Sequence, residues 1–197
     1  GGSITDNTAD ECGGGVYNYD GTFNLNGGSI TANRAKEGGG VFLLSSDGSF
    51  KMTGGSIAEN TATVDGGGVY NNNAAFTMEG GSIADNTVVR DSSVADSSHG
   101  GGVYNNCNTF KMTGGSITGN TVDGGANDTS YGGGVYNGGT VNIYGGEISD
   151  NTASNKGGGV YMAASMGNYQ GGILNVSGAA KITDNKVNGV ANNVYLP

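Results

Sequence analysis

A right-handed, single-stranded parallel β-helix of about seven coils, with three short strands in each, is predicted by three observations. One short phrase recurs along the whole chain at near-constant spacing. Each recurrence carries three apolar segments too short for helices. Glycine, 42 of 197 residues, punctuates fixed places in the unit. Gly-Gly-Ser-Ile begins at Gly1, Gly27, Gly54, Gly80 and Gly114, Gly-Gly-Glu-Ile begins at Gly145, and the weaker Ala179-Ala180-Lys181-Ile182 opens the last unit. Successive starts lie 26, 27, 26, 34, 31 and 34 residues apart. Such a period marks a structural unit that buries its core only by stacking on its neighbours.

The first strand of each unit centres on an isoleucine: Ile4, Ile30, Ile57, Ile83, Ile117, Ile148 and Ile182. The second follows a Gly-Gly-Gly phrase in most units and points a valine inward: Val16, Val41, Val69, Val103, Val135, Val160 and Val194. The third gives two inward columns by alternation. One runs Phe23, Phe50, Phe76, Phe110, Val141 and Leu174, the other Leu25, Met52, Met78, Met112, Ile143 and Val176. Like residues stacked at about 4.8 Å per coil form a continuous dry core and a rod of roughly 34 Å. Right-handed winding follows from the strong bias of parallel crossovers. Residues 1–197 thus read as one β-helix domain, a fragment of a longer repetitive protein. In the last unit Ala191-Asn192-Asn193 replaces the triple glycine, a departure from the regular coil. The core edges at the ends are expected to be covered by flanking sequence.

Composition narrows the function classes. There is no Gly-X-Y period, which excludes collagen, and the apolar residues recur in register, which excludes plain disorder. A net charge of −9 with eight Lys plus Arg argues against nucleic acid, whose phosphates need a basic stripe, and against an anionic membrane surface. No apolar run approaches the roughly 20 residues that span a bilayer, so no membrane insertion by this segment is expected. Between the first and second strands unit four inserts residues 89–99 and unit five residues 123–131. These insertions leave the same corner and should lie side by side. A third long loop, 162–172, leaves a different corner.

The Gly-Gly-Ser-Ile and Gly-Gly-Gly-Val-Tyr-Asn phrases resemble the repeats of bacterial and archaeal adhesin-like surface proteins. They are also similar to the Gly-Gly-Ala-Ile and Phe-x-x-Asn repeats of chlamydial polymorphic outer-membrane proteins, within the broad pectate-lyase-like β-helix class. Only Phe23-Asn24-Leu25-Asn26 keeps the Phe-x-x-Asn form. The resemblance covers essentially the whole chain. It implies a microbial, secreted or surface-attached protein: a non-catalytic adhesin or stalk that binds a host or environmental glycan or a surface protein.

Several columns invite a functional reading and each has a structural one. Asn7, Asn33, Asn60, Asn86, Asn120, Asn151 and Asn185 occupy one position in every unit, where stacked amides bond to one another and to turn backbone. The column Tyr17, Phe42, Tyr70, Tyr104, Tyr136, Tyr161 and Tyr195 should face outward if the valines face in. Such rings stack on sugars or anchor a partner, or simply pack on each other. Tyr70, Tyr104 and Tyr136 are the ligand-binding candidates here. Acidic residues precede the asparagines at Asp6, Glu59, Asp85, Asp150 and Asp184. Like charges on neighbouring coils, Glu59 with Asp85 and Asp150 with Asp184, would suit a bridging calcium ion. Calcium is the one cofactor this pattern admits, and solvated turn residues are the alternative. The paired insertions carry Arg90, Asp91, Asp96, His99, Asp123, Asp128 and Tyr131, a mixture suited to binding. It also suits acid–base chemistry on a polysaccharide, since enzymes that this architecture resembles place catalytic carboxylates or bases in loop-walled grooves. Ser3, Ser29, Ser56, Ser82 and Ser116 beside Thr5, Thr31 and Thr118 form a hydroxyl array resembling ice-binding faces, interrupted by Ala58, Ala84, Glu147 and Lys181. Cys12 and Cys107 lie three coils apart, roughly 14 Å, beyond the about 7 Å that a disulfide permits, so both should be free thiols.

Overall fold

The computed structural model describes residues 1–90, 97–124, 129–165 and 170–197. It is an all-β solenoid, and among the described residues there is no helix. Three parallel sheets run the length of the rod, one for each predicted strand. The isoleucine sheet has seven strands, from Ser3–Thr5 to Lys181–Thr183, and the valine sheet seven, from Val16–Tyr19 to Val194–Tyr195. The phenylalanine sheet has six, from Thr22–Leu25 to Ile173–Val176. Register is repeat upon repeat: Ile4 pairs with Ile30, Val69 with Val103, and Phe76 with Phe110.

The three inward faces meet in one core. Val69, Met78, Ile83 and Phe110 are fully buried, and the members nearest the ends, Ile4, Val16, Phe23, Leu174, Ile182 and Val194, are partly buried. The phenylalanine rings stack on each other, Phe23–Phe50–Phe76–Phe110, with centroids 4.5–4.9 Å apart. That arrangement adds aromatic attraction to the area buried.

A fourth sheet, of nine strands, lines the corner between the isoleucine and valine sheets. Its strands include Arg34–Glu37, Thr61–Asp65, Thr87–Val89, Thr121–Asp123 and Thr152–Ala153. The segments are short and their inward residues small (Ala62, Val88 and Val122 form a satellite core), so no alternating run announces them in the sequence. This sheet fixes the insertions. Thr61–Asp65 pairs with Thr87–Val89 on one side of the first insertion and, through Asp65↔His99, with Ser98–His99 on the other. Ser98–His99 pairs in turn with Ser130–Tyr131. The two insertions therefore leave and return side by side, as expected.

Backbone geometry explains two repeated features. Glu59, Asp85, Asp150 and Asp184 have φ of 54–57° and turn the chain from the isoleucine sheet to the corner sheet. The left-handed region favours short polar residues. The triple glycines close the next corner: Gly66 has φ 67°, and a Cβ on Gly68 would meet the Gly102 carbonyl oxygen at 2.7 Å.

The asparagine column forms a continuous ladder beneath these turns. Asn86 Nδ2 donates to Asn120 Oδ1 at 3.0 Å and to the Ile57 carbonyl at 2.9 Å, while its backbone N–H donates to the same Asn120 oxygen at 3.0 Å. The pattern repeats from Asn7 to Asn185. At the last coil the departure takes a definite form. Asn188-Gly189, both at positive φ, turn the chain back so that Val190–Ala191 pairs antiparallel with Lys186–Val187. Asn193 Oδ1 then accepts from Asn185 N and Nδ2, each at 3.1 Å. Asn193 so takes the place of a further rung.

Candidate functional site

The outer face of the valine sheet carries the aromatic column. Alternation sends the valines inward (Val103 and Val135 are fully buried) and the rings outward, which settles their direction. They are nevertheless covered: Phe42 and Tyr70 are buried, Tyr104, Tyr136, Tyr161 and Tyr195 half-buried, and Tyr17 at the end is 51% exposed. Consecutive rings stack nearly parallel, with centroids 4.7–5.4 Å apart and interplanar angles of 5–19°. Their faces are therefore turned on each other. What the interior rungs offer a ligand is ring edges and hydroxyls, not the flat faces on which sugars stack.

Beside this ladder runs a second column, which the sequence reading treated only in part. It consists of the residue before each triple glycine: Cys12, Glu37, Asp65, His99, Tyr131 and Lys156. The corner sheet pairs them in that order, Cys12 with Glu37, Glu37 with Asp65, Asp65 with His99, His99 with Tyr131, and Tyr131 with Lys156. Every side chain in the column is titratable. Their common place before a repeated motif was a legible signal, but their identities differ in every coil, so no recurrent residue drew attention to them.

The column is coupled within itself and to the tyrosines. Asp65 Oδ1 accepts the His99 backbone N–H at 2.8 Å and lies 2.9 Å from His99 Nδ1. The His99 ring stacks on Tyr131 (5.3 Å) and is tilted against Tyr136 (4.5 Å) and Tyr104 (6.0 Å). Lys156 Nζ donates to the Tyr195 hydroxyl at 3.1 Å and stands 4.6 Å over that ring. Cys12 Sγ donates to Glu37 Oε2 at 3.6 Å. Desolvation, reinforced by Glu37, pushes the Cys12 thiol up to about 11. Desolvation and then the neighbouring Asp65 raise the Glu37 carboxyl above its ordinary value. Burial likewise raises the phenols, Tyr136 up to about 12 and Tyr104 further, so they stand as neutral hydroxyls near pH 7.

A groove of about 660 Å³ opens over coils four to six. Tyr131, Tyr136 and Tyr161 form one side. Asn106, Cys107 and Gly138 line the turn beyond the valine sheet, and Ala163, Ala164 and Gln170 come from the flanks of the third loop. The returning legs of the insertions, Ser98–His99 and Ser130–Tyr131, and the described flanks of the third loop thus stand on opposite sides of Tyr136 and Tyr161.

The predicted site residues divide accordingly. Tyr104, Tyr136, His99 and Tyr131 come together, with Tyr70 buried next along the ladder. Arg90 and Asp123 stand elsewhere, on the departing legs of the insertions. There the Arg90 N–H donates to the Asp123 carbonyl at 3.1 Å and Arg90 Nη1 to the Gly124 carbonyl at 3.5 Å. Asp91, Asp96 and Asp128 lie outside the described residues. Glu59, Asp85, Asp150 and Asp184 are exposed on the turns at the far side of the corner sheet. Among the described residues no three His, Cys, Asp or Glu side chains cluster as a metal site. Cys12 and Cys107 are free thiols, the latter exposed. Tyr161, Asn106 and Gln170 are groove residues that sequence reasoning did not select. In comparisons with known proteins, no family model, curated sequence or solved structure matches this chain.

Proposed function

We propose that the chain is a non-catalytic extracellular rod for attachment or display, with glycan recognition in the groove over Tyr131, Tyr136 and Tyr161. The observation that supports this reading is the placement of that groove. The solenoid presents Tyr136 and Tyr161 between Tyr131, on the returning leg of an insertion, and the flanks of the third loop, and loops on a rigid scaffold are where recognition concentrates. A glycan-array screen with and without calcium, repeated on a variant whose 89–99 and 123–131 insertions are replaced by the short corner of coil three, tests it. Selective binding lost in the variant is the expected outcome. An array with no binding would leave a protein-binding or spacer rod, and binding indifferent to the swap would move glycan recognition away from the groove. A calcium requirement would bring the turn acids Glu59, Asp85, Asp150 and Asp184 into the mechanism.

One observation favours a second reading, a carbohydrate-active enzyme. The Asp65–His99 pair has the arrangement of a base oriented by a carboxylate. Release of reducing ends from a polysaccharide, abolished in His99→Asn, would establish it over the binding reading.

A further inference from the structure

Resting on the glycan-binding reading, we infer that the groove takes a neutral, extended oligosaccharide lying along the rod axis, bound by the edge of the tyrosine stack.

Charge is the first argument. The chain carries −9 overall, yet among the described residues lining the groove there is no carboxylate, ammonium, guanidinium or imidazole. Amides, phenols, a thiol and small apolar groups are all it presents. The neighbouring nitrogen bases are engaged elsewhere. Lys156 is turned to the Tyr195 hydroxyl and ring, and His99 lies behind Tyr131 and Tyr136 with Nδ1 against Asp65. A carboxylated or sulfated sugar would shed water there without gaining a counter-charge, an uncompensated desolvation. A cationic ligand would find no carboxylate among the described lining residues. An uncharged polyol meets what is present: donor and acceptor hydroxyls, the Asn106 and Gln170 amides, and the Ala163–Ala164–Gly138 surface for its C–H face.

Geometry supplies the rest. With ring faces occupied in the stack, the phenol edges within the groove step along the rod at the Tyr136–Tyr161 centroid spacing of 5.4 Å. Tyr131 stacks on Tyr161 from the neighbouring column at 4.5 Å, and the ladder continues beyond the groove at 4.8 Å to Tyr104 and 5.3 Å to Tyr195. The step within the groove is comparable to the advance of one pyranose ring in an extended β-1,4-linked glucan-type chain, whereas an α-1,4-linked glucan coils away from it. The groove crosses three coils, and its volume falls within the roughly 300–1,000 Å³ of sites for ligands larger than one sugar ring.

Isothermal titration of this protein with cellotriose, chitotriose, maltotriose and trigalacturonate tests the inference. The expected result is binding of cellotriose or chitotriose over both other probes, nearly unchanged between about 0.05 and 0.5 M salt because no ion pair is screened. Tyr136→Phe removes one hydroxyl while keeping the ring stack, and Gln170→Ala removes one amide. Each should weaken binding roughly three- to tenfold, the worth of one neutral hydrogen bond, with circular dichroism unchanged. Preferred binding of trigalacturonate, or steep salt dependence, would overturn the inference while leaving a glycan-binding groove. Preference for maltotriose would overturn the extended geometry. Neutral binding untouched by either variant would place the site elsewhere. If none of the trisaccharides binds, the inference falls, and the glycan array separately decides whether the glycan reading falls with it.

Discussion

The asparagine column and the column before the triple glycines border the same corner sheet, yet one repeats a single residue in every coil and the other changes in each. The difference lies in what each position must satisfy. Asn120 Oδ1 accepts two N–H groups from Asn86, while Asn120 Nδ2 donates to Asn151 Oδ1 and to the Ile83 carbonyl, all inside the rod. Only a side chain with one carbonyl and one NH₂ at that reach serves the coils on both sides. Cys12, Glu37, Asp65, His99, Tyr131 and Lys156 keep their register through backbone pairing, and the contacts their side chains make differ from coil to coil at the outer edge of the aromatic ladder. The backbone there accepts any residue, so the side chain is released for local purposes. In a repeat built this way, constancy marks scaffold and variation marks the place where a site can be written.

The sharpest way to break that contrast is to treat the constant column as if it were variable. Asn120→Ala leaves the Asn86 N–H and Nδ2 donors and the Ile83 carbonyl buried without those partners. Asn86 Nδ2 keeps the Ile57 carbonyl, so at about 1–3 kcal/mol for each of the other two groups stability should fall by roughly 2–6 kcal/mol, read as a lower midpoint in urea unfolding. A loss below about 1 kcal/mol would mean that the ladder is incidental to the fold.

A smaller effect is expected from the glycines that set the column apart. A Cβ on Gly102 would meet the Gly134 carbonyl oxygen at 2.7 Å and Ile117 Cγ2 at 2.9 Å. Gly102→Ala should cost about 2–3 kcal/mol, as overpacking does in well-filled interiors, by the same urea measurement. An unchanged midpoint would show that the coils yield more readily than their stacking suggests.

The smallest effect belongs to the variable column and carries the opposite sign. The folded-state carboxyl of Glu37 is raised by burial and by Asp65, so the folded state holds this proton more tightly than the unfolded chain does. Its contribution to stability is then full below the unfolded value near 4.3 and declines as pH rises through the folded value. Glu37→Gln should therefore raise the thermal midpoint at pH 7, with the gain vanishing near pH 4. A variant less stable than the parent at pH 7 would mean that the Glu37 carboxylate is needed as an acceptor for Cys12.

Much of the fold was legible because its signals repeat. The isoleucine, valine and phenylalanine columns, their inward direction and the parallel register follow from alternation within a unit and identity between units. The corner sheet was not legible, since segments such as Thr87–Val89 and Thr152–Ala153 are too short and too small at their inward positions to show a period. The second asparagine ladder, Asn71–Asn105–Asn137, was visible only as part of Val-Tyr-Asn. Its inward direction rests on the valine parity, and it ends where Met162 occupies the next place.

For the candidate site the balance is reversed. The sequence by itself determined the rod, the two insertions and their common corner, because those depend on spacing along the chain. It also determined that Tyr104, Tyr136, His99 and Tyr131 occur near that corner. Tertiary structure alone decided that the ring faces are spent on one another and that Asp65 holds His99. It also decided that Arg90 and Asp123 stand apart, and that Tyr161, Asn106 and Gln170 complete a groove. The physical reason is that periodicity fixes which residues share a column. Which atoms of that column remain free depends on contacts between columns, and those arise only when separate coils and loops close around the same face.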